Sequence, residues 1–520
     1  MNHIELFAGC GGLSLGLDKA GFELLLANEL SPMAAETFAY NFFNEDIEEK
    51  ATQNKPSENA LWIETKYSEL TERLRENPFK TEPEYSDLIG LPSWASLEGK
   101  LLVGSIVKLN DLLDRTPELV EHLRNGFGKG LDLVSGGPPC QSFSMAGKRE
   151  KNNDKNTLPW EFAHFVKHVK PKVALLENVT GILRAFKTEN GEKFHAWYEV
   201  AKLFASIGYV PLCLHINARF VGVPQNRPRF IMIAVRQDCL SAYLERCHTE
   251  NAEIWTQSHS FYKLVQIHQE SLPFGHLDYI DVMKDKDIQK FSNTFLSPFT
   301  TYRGQEVSVQ EAIGDLKINN PDDESQYIKH LNRTFSSLKN HPKCMNHELR
   351  KNSPLVQRRF RLYQVLQQLS DRALTKNVFD ILRGNSDSLD EQSWEKLSEF
   401  KYLHDNGKLY KFGSKVELEN YLKAHPTKKQ TQKALIASKP APAALSIPDD
   451  ACHYDENELR VLSVREMARI QSFPDNFIFR SKVTTGGQMR KFQVPQYTQV
   501  GNAVPPLLGL ALGKVISEFI

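Results

Sequence analysis

The sequence predicts an α/β fold, a doubly wound and mostly parallel sheet, joined to a second domain that is smaller or irregular. Three observations lead to this prediction. Short apolar runs typical of buried strands alternate with helical patterns from Ile4 to Val235. That alternation stops near Asp238, and the chain up to Ala451 is polar, basic and punctuated by proline and glycine. The final helix, Leu507 to Ile520, is apolar and needs a core, which the first domain is expected to provide.

The length of the chain agrees with two domains, because 520 residues are too many for one ordinary core. We expect residues 1–237 to form the first domain, with an acidic insertion at about 45–100, and residues 452–520 to return to it. Residues 238–451 are expected to form the second domain. In the second domain a helix is predicted at Pro354 to Leu369. In the returning segment another helix is predicted to begin at Ser463, whose capping box is completed by Glu466.

The amino-acid composition is that of a globular protein. The chain is 41% hydrophobic and 25% charged, and it contains no apolar run long enough for a membrane span. Its start has the pattern of a strand, so no signal peptide is expected. Seven cysteines, an odd number with no Cys-x-x-Cys pair, indicate a reducing compartment and give no zinc spacing. We therefore expect a cytoplasmic protein that binds no membrane and no metal.

The first strand, residues 4–7, runs into a glycine-rich turn and then a helix. That order of elements brings a ligand against a helix N-terminus. The second strand ends at Glu29, about 20 residues beyond the glycines, where an acid accepts hydrogen bonds from ribose hydroxyls. A glycine loop alone is a weak signal, but the loop, the strand and the acid together predict a site for an adenosine-type cofactor.

A second loop, Ser135 to Ser142, follows an apolar strand and carries Cys140. Its two glycines let a ligand approach the backbone, and its two prolines fix φ, which lowers the entropy cost of holding the thiol in place. This is how a nucleophile is mounted, although a lone cysteine is more often a small core residue. The polar segment that follows, residues 144–156, has few apolar anchors and is expected to move.

Glu177 ends another apolar strand, and parallel strands present their carboxyl ends at one edge of a sheet. It is therefore expected beside Cys140. Arg227 and Arg229 precede a further strand. Singly, such residues cap helices or pair with surface acids. Together they predict attack of sulfur on an electron-poor ring that a carboxyl group holds. A free thiol has a pKa of about 8.5. The two arginines are expected to supply the positive charge that lowers the pKa of Cys140.

The charge is unevenly placed although the net charge is zero. Residues 329–361 hold nine Lys and Arg against one acid, whereas residues 45–100 hold thirteen acids and seven bases. This separation suggests one face for a polyanion and another kept away from it. Basic runs are more often plain solvated surface, so the pattern is weak on its own.

Six segments, in one order along the chain, resemble the motifs of the DNA (cytosine-5)-methyltransferases. They are Phe7 to Gly12, Gly136 to Ser144 with its Pro-Pro-Cys-Gln sequence, Glu177-Asn178-Val179, Gln225 to Arg229, Arg465 to Pro474, and Gly501 to Pro505. The resemblance covers most of residues 2–234 and 459–520. It implies the S-adenosylmethionine-dependent methyltransferase fold and a site-specific DNA cytosine carbon-5 methyltransferase, either part of a restriction-modification pair or a solitary methylase.

The resemblance also implies roles for single residues. Cys140 is expected to add to carbon 6 of a cytosine swung out of the duplex, while Glu177 bonds the nitrogen edge of the ring. Arg229 is expected to hold the carbonyl oxygen of the base and Arg227 to support the cysteine loop. The S-adenosylmethionine site is implied for Phe7, Ala8, Gly9, Gly11, Gly12, Glu29, Ser105, Ile106, Pro138, Asn502 and Val504. Contacts with DNA are implied for Gln141, Ser144, Lys148, Arg149 and Gln225.

Some features depart from the family pattern. Ser105 stands where an acid commonly bonds the adenine amino group, and Glu5 stands where aspartate is usual. The acidic insertion at 45–100 is long for the family, and its charge argues against contact with DNA. We expect it at the back of the domain or against a partner.

Residues 238–451 occupy the place of the target-recognition domain. The implied partner is duplex DNA, bound by a monomer. A cognate restriction endonuclease in the same system is a possible further partner. Two alternatives also remain, an RNA cytosine-5 methyltransferase acting on tRNA and an inactive DNA-binding relative.

Overall fold

The computed structural model describes residues 1–79, 82–139, 158–187, 191, 193–338, 345–427, 432–443 and 445–520. The strands are β1 (Asn2–Leu6), β2 (Glu23–Glu29), β3 (Ala60–Trp62), β4 (Lys100–Val103), β5 (Leu133–Gly136), β6 (Val173–Val179), β7 (Phe186–Lys187), β8 (Lys193–Phe194), β9 (Tyr209–Asn217), β10 (Pro228–Arg236), β11 (Ile280–Asp281), β12 (Tyr402–Leu403), β13 (Leu409–Tyr410), β14 (Lys433–Ala434) and β15 (Ala451–Cys452).

The α-helices are α1 (Gly12–Lys19), α2 (Pro32–Phe42), α3 (Ile47–Thr52), α4 (Leu70–Arg73), α5 (Ile106–Arg115), α6 (Pro117–Arg124), α7 (Leu158–Val169), α8 (Ala196–Ser206), α9 (Gln237–Arg246), α10 (Thr249–His268), α11 (Asp285–Ser292), α12 (Val309–Ile313), α13 (Gln326–Thr334), α14 (Pro354–Leu369), α15 (Arg372–Leu382), α16 (Glu391–Ser398), α17 (Lys415–Lys423), α18 (Val464–Ile470), α19 (Gln496–Asn502) and α20 (Pro506–Ile516).

Nine strands form the central sheet, in the order β11-β9-β10-β6-β5-β1-β2-β4-β3. Every neighbouring pair is parallel except the two pairs that include β10, which runs against β6 and β9. The strand order reverses on either side of β1, because β2 lies on one side of it and β5 on the other. Open α/β sheets bind ligands at such a point, beyond the carboxyl ends of the strands. The predicted doubly wound, mostly parallel sheet is confirmed.

Side chains alternate between the two faces of the sheet and feed two separate cores. In β5 and β6, Leu133, Val173 and Leu175 belong to one apolar cluster. Their neighbours Val134, Ala174 and Leu176 belong to the other. Helices therefore cover the sheet on both faces, as a strand buried on both sides requires.

The C-terminal segment packs against the first helix, as its apolar sequence predicts. The contact between α1 and α20 is close because it is lined with glycine: a Cβ at Gly16 would lie 2.4 Å from the carbonyl oxygen of Pro506. The helix predicted at Ser463 is α18, and its capping box with Glu466 is formed. Residues of α1 and α20 therefore share one apolar core.

Residues 238–335 contribute to the cores of the central sheet. Trp255 and Phe261 of α10 are buried in its two clusters, and β11 pairs with β9. By contrast α14 to α17 enclose a small core of their own, which includes Leu366, Val378 and Leu418. The helix predicted at Pro354 to Leu369 is α14, with the predicted bounds. The three-part division of the chain stays a prediction.

No single helix in the described ranges is long and apolar enough to cross a membrane. Two segments, Gly487–Asn502 and Pro506–Phe519, pass that test only together, across a bend of 66°.

Candidate active site

A cavity of about 450 Å³ opens beyond the carboxyl ends of the strands around β1. Twelve of the residues that the sequence assigns to catalysis or cofactor binding line it, from seven separate stretches of the chain. They are Phe7, Ala8, Gly9, Glu29, Ser105, Ile106, Pro138, Glu177, Arg227, Arg229, Asn502 and Val504. The fold therefore brings together groups that are up to about 500 residues apart in sequence.

The glycine loop follows β1 and turns sharply, with φ of 56° at Phe7 and 57° at Gly9. Space around Gly9 is open, since a Cβ there would meet no atom within 4 Å. Gly11 and Gly12 lie behind the cavity wall instead. A Cβ at Gly11 would lie 2.3 Å from the Phe42 ring, and one at Gly12 would lie 2.2 Å from the carbonyl oxygen of Val504. These two glycines allow the loop to pack; the cavity is lined by the residues before them.

The Glu29 carboxylate bridges two main-chain groups at the end of β2. One oxygen accepts from the amide of Gly9 at 2.8 Å and the other from the amide of Ser31 at 2.7 Å. Burial raises the pKa of Glu29, while these two bonds act in the opposite direction. Glu29 thus fixes the glycine loop and keeps lone pairs on both oxygens for a ligand.

Glu5, the next-to-last residue of β1, is a second carboxyl group on the cavity wall and is 2% exposed. It accepts a hydrogen bond from the hydroxyl of Ser14 on α1. Burial raises the pKa of Glu5 to about 8, so the side chain is largely protonated at neutral pH.

Ser105 lies after β4 and is the N-cap of α5. Its hydroxyl oxygen accepts from the amide of Val107 at 3.2 Å. Here the fold uses the side chain to begin a helix, and Ile106, the first helical residue, also lines the cavity.

Glu177 and Arg229 form an ion pair at the opposite wall, with 2.6 Å between Glu177 Oε1 and Arg229 Nε. The register of β6 and β10 produces it, because Arg229 pairs with Val179, two residues from Glu177. Both residues are buried, each 8% exposed. The main chain at Gly137 passes the same carboxylate, since a Cβ there would lie 3.0 Å from Glu177 Oε2.

The stem of the cysteine loop is held by the neighbouring strand. The side-chain amide of Asn178 donates to the carbonyl oxygen of Pro138 at 2.9 Å. Pro138 and Pro139 both line the cavity. Cys140 itself, with Gln141, Ser144, Lys148 and Arg149, lies outside the described residues.

Arg227 is buried and ties β10 to the last motif. Its guanidinium donates to the carbonyl oxygens of Gly501 at 2.8 Å and Ala503 at 3.0 Å. Burial, and then the neighbouring charge of Arg229, hold the pKa of Arg227 well below its usual range. Among the described residues its acceptors belong to the segment that carries Asn502, which gives Arg227 a positioning contact beyond the expected support of the cysteine loop.

Gln225 is fully buried and does not line the cavity. Its side-chain amide donates to the carbonyl oxygen of Pro442 at 2.9 Å, and its backbone bridges to Ala441. Residues 441–443 cover the side chain of Gln225. In this structure Gln225 is therefore not accessible for the expected contact with DNA. Residues 441–443 thus pack against the segment that precedes β10.

Sequence reasoning missed two parts of the cavity wall. Arg490 to Val494 line it from the segment before α19, and Pro78 and Phe79 line it from the acidic insertion. The expectation that the insertion lies at the back of the domain is wrong for these residues. Its strand β3 joins the edge of the central sheet, and Arg75 pairs with Glu36 of α2. No motif or periodicity in residues 74–79 signals this position.

The sheet order, the cavity at its topological switch point and the glycine loop define the class of protein, which is a Rossmann-like methyltransferase fold. A sequence model described as C-5 cytosine-specific DNA methylase matches residues 1–63 and 108–518. The chain belongs to that family and is a DNA cytosine-5 methyltransferase. The unmatched residues, 64–107, include the part of the insertion that reaches the cavity.

Curated relatives match along the whole chain. The type II methyltransferase M.DdeI of Desulfomicrobium norvegicum is 26% identical and the alignment covers 100% of this chain and 89% of the relative. The type II methyltransferase M1.HphI of Haemophilus parahaemolyticus is 24% identical over 99% and 86%. A solved structure, the Dnmt2 methyltransferase of S. pombe, is 12% identical with a TM-score of 0.42, covering 99% of this chain and 98% of the other. A likeness at that score decides nothing about residues or substrate.

Proposed function

We propose that the chain transfers a methyl group from S-adenosylmethionine to carbon 5 of a cytosine that is flipped out of duplex DNA, through a covalent adduct with Cys140. One observation carries the proposal. A single cavity is lined by the Glu177–Arg229 ion pair, by the prolines directly before Cys140, and by the glycine loop with Glu29. Carbon-5 chemistry needs a base holder, a sulfur nucleophile and a methyl donor at one place.

The residues present fit the methyl donor. A volume of about 450 Å³ lies within the ~300–1,000 Å³ typical of small-molecule sites. Phe7 offers an aromatic face, Gly9 leaves open space beside it, and Glu29 keeps free lone pairs where ribose hydroxyls are expected. When bound, S-adenosylmethionine supplies an electrophilic methyl group on a sulfonium. Phe7, Glu29, Asn502 and the insertion residue Phe79 are the proposed holders.

The remaining steps belong to Cys140 and to the side chains of Glu177 and Arg229 on the opposite wall. The Cys140 thiolate forms a bond to carbon 6, and the electron pair of the 5,6 double bond moves to carbon 5. Glu177 holds the nitrogen edge and Arg229 the carbonyl oxygen, so that this charge is spread over the ring. After carbon 5 has been methylated, its proton leaves to a base, the double bond forms again and the thiolate departs.

A stacked base cannot reach this cavity, so the target must be extruded at a cost of about a few kcal/mol. We propose residues 238–451 as the part that reads the target, with the separate core of α14 to α17 as its helical unit. Part of the basic charge there is paired. Arg358 contacts Asp405, and Arg361, 4% exposed, lies 3.0 Å from Glu456. The charge run in the sequence overstates the basic surface.

Transfer of tritiated methyl groups tests the proposal. Purified protein with labelled S-adenosylmethionine is expected to label unmethylated duplex DNA and to leave tRNA unlabelled. Bisulfite sequencing of DNA from cells that express the chain should then show one recurrent methylated sequence. Label in tRNA alone, or on adenine, would contradict the proposal. We further propose that the enzyme acts as a monomer on DNA, with a cognate endonuclease in the same system.

A further inference from the structure

Helices α5 and α7 lie side by side on one face of the sheet and are joined at two successive turns. At the first turn the side-chain amide of Asn110 on α5 donates to the carbonyl oxygen and to the carboxylate of Glu161 on α7, at 3.0 and 2.8 Å. At the second turn Asp114 of α5 meets His164 and His168 of α7. The two histidines are four residues apart, so they project from the same face of the helix.

Three metal-ligating atoms converge at this second turn. His168 Nε2 lies 2.9 Å from Asp114 Oδ1 and 3.1 Å from His164 Nε2, and His164 Nε2 lies 3.5 Å from Asp114 Oδ1. Zinc binds histidine nitrogen and carboxylate oxygen at about 2.0–2.2 Å, so the edges of a tetrahedral site are roughly 3.3–3.5 Å long. The observed triangle is close to one face of such a tetrahedron and needs only a small expansion.

We propose that Asp114, His164 and His168 form a binding site for one divalent transition-metal ion, zinc, with water as the remaining ligand. Neutral imidazole and carboxylate are ligands that zinc accepts. Without an ion, His164 Nε2, His168 Nε2 and Asp114 Oδ1 face one another and share the proton of one ring nitrogen. A bound ion would instead accept a lone pair from each of the three atoms. All three side chains are partly exposed, between 22% and 49%, so solvent reaches the site.

The site lies away from the chemistry and acts on structure. Ile106 at the start of α5 and Leu158 at the start of α7 line the cavity. The cluster is 6–10 residues further along each helix, roughly 9–15 Å at 1.5 Å per residue. A bound ion therefore links two helices whose N-terminal ends shape the cavity wall, and it stabilises their mutual position without contacting substrate.

The cysteine spacing that predicts no zinc site does not apply to this cluster, since it contains no cysteine. The available signal was the pair His164 and His168 at helical spacing, completed by an acid 50 residues earlier that only the fold brings near.

Zinc binding to the full-length, tag-free and chelator-treated protein tests the inference. Isothermal titration with zinc chloride is expected to give one site per chain with a dissociation constant in the micromolar range or tighter, and bound zinc should raise Tm. His164→Ala, His168→Ala and Asp114→Asn should each weaken binding at least about tenfold. His122→Ala, a histidine on the neighbouring helix α6, is the matched control and should bind as the parent does.

Other thiols and histidines of the chain can also take up zinc. The variants distinguish that binding from binding at Asp114, His164 and His168. Circular dichroism checks that each variant is folded. Unchanged affinity and stoichiometry in the His164→Ala/His168→Ala double variant would overturn the proposal, and so would the absence of a binding isotherm in the parent protein up to millimolar zinc.

Discussion

The two walls of the cavity hold their carboxyl groups in different ways. The base wall, defined as Glu177, Arg227 and Arg229, pairs a carboxylate with a guanidinium at 2.6 Å. The glycine-loop wall, defined as Glu5, Phe7, Gly9 and Glu29, holds its carboxyl groups with main-chain amides and a hydroxyl. A charge pair places a cation directly beside the acid, where both groups can respond to charge that develops in a reaction. Backbone donors instead fix a shape before a ligand arrives.

This contrast predicts that changes in the base wall lower the rate of methyl transfer, while changes in the glycine-loop wall alter donor affinity or stability.

The largest effect is expected from Glu177→Gln. The amide retains size and one acceptor but loses the charge that pairs with Arg229 and holds the base, so kcat should fall by about 10²-fold or more. The dissociation constant for S-adenosylmethionine should stay within about twofold, measured by titration calorimetry. A variant that lost donor binding and kept its turnover rate would reverse the roles of the two walls.

Arg229→Lys should lower kcat by about 10-fold to 10²-fold. Lysine keeps the positive charge but cannot place two donors in the fixed geometry of a guanidinium, and the 2.6 Å contact with Glu177 depends on that geometry. Single-turnover kinetics isolate the chemical step. A rate equal to that of the parent enzyme would mean that charge alone is required at this position.

The fold was predictable where local patterns decide it, and the site where motifs mark it. The strands β2 and β6, which carry Glu29 and Glu177 at or near their ends, the helix α14 and the capping box at Ser463 follow from periodicity and turn chemistry that act over a few residues. Phe79 and Gln225 were not predictable in this way. Phe79 is placed at the cavity by the pairing of β3 with the edge of the sheet and by the contact of Arg75 with Glu36. Gln225 is covered by residues 441–443, which follow it by more than 200 residues in the sequence. Both depend on long-range packing.

Phe79→Ala tests the unexpected part of the glycine-loop side. Phe79 is 53% exposed and lines the cavity, so its ring can cover a bound donor. Removing it should raise the dissociation constant for S-adenosylmethionine about 3-fold to 10-fold, because one partly buried aromatic contact contributes about 0.5–1.5 kcal/mol, and kcat at saturating donor should be unchanged.

The matched control for Phe79 is Ile89→Ala. Ile89 lies in the same insertion, is 81% exposed and does not line the cavity. If the parent, Phe79→Ala and Ile89→Ala proteins bound S-adenosylmethionine with equal affinity, Phe79 of the insertion would not contribute to donor binding.

Glu5→Gln should change the pH dependence of stability. Burial raises the pKa of Glu5 to about 8, against about 4.3 in an unfolded chain. Between these values the folded protein holds a proton that the unfolded chain releases, so the contribution of Glu5 to stability falls as pH rises from about 4.5 to about 8. The glutamine variant cannot lose that proton. Its Tm relative to the parent should therefore rise from pH 5 to pH 8 and level off above pH 8; a flat difference would contradict the raised pKa.

The most direct test of the central claim is covalent capture of the enzyme on duplex DNA that contains 5-fluorocytosine in the methylated sequence. Fluorine at carbon 5 cannot leave as a proton does, so the adduct cannot resolve. With S-adenosylmethionine present, we predict a denaturant-stable complex of one protein chain per target for the parent enzyme and for Ile89→Ala, and none for Cys140→Ala. Capture by Cys140→Ala, or methylation of cytosine without any capture by the parent, would contradict the account.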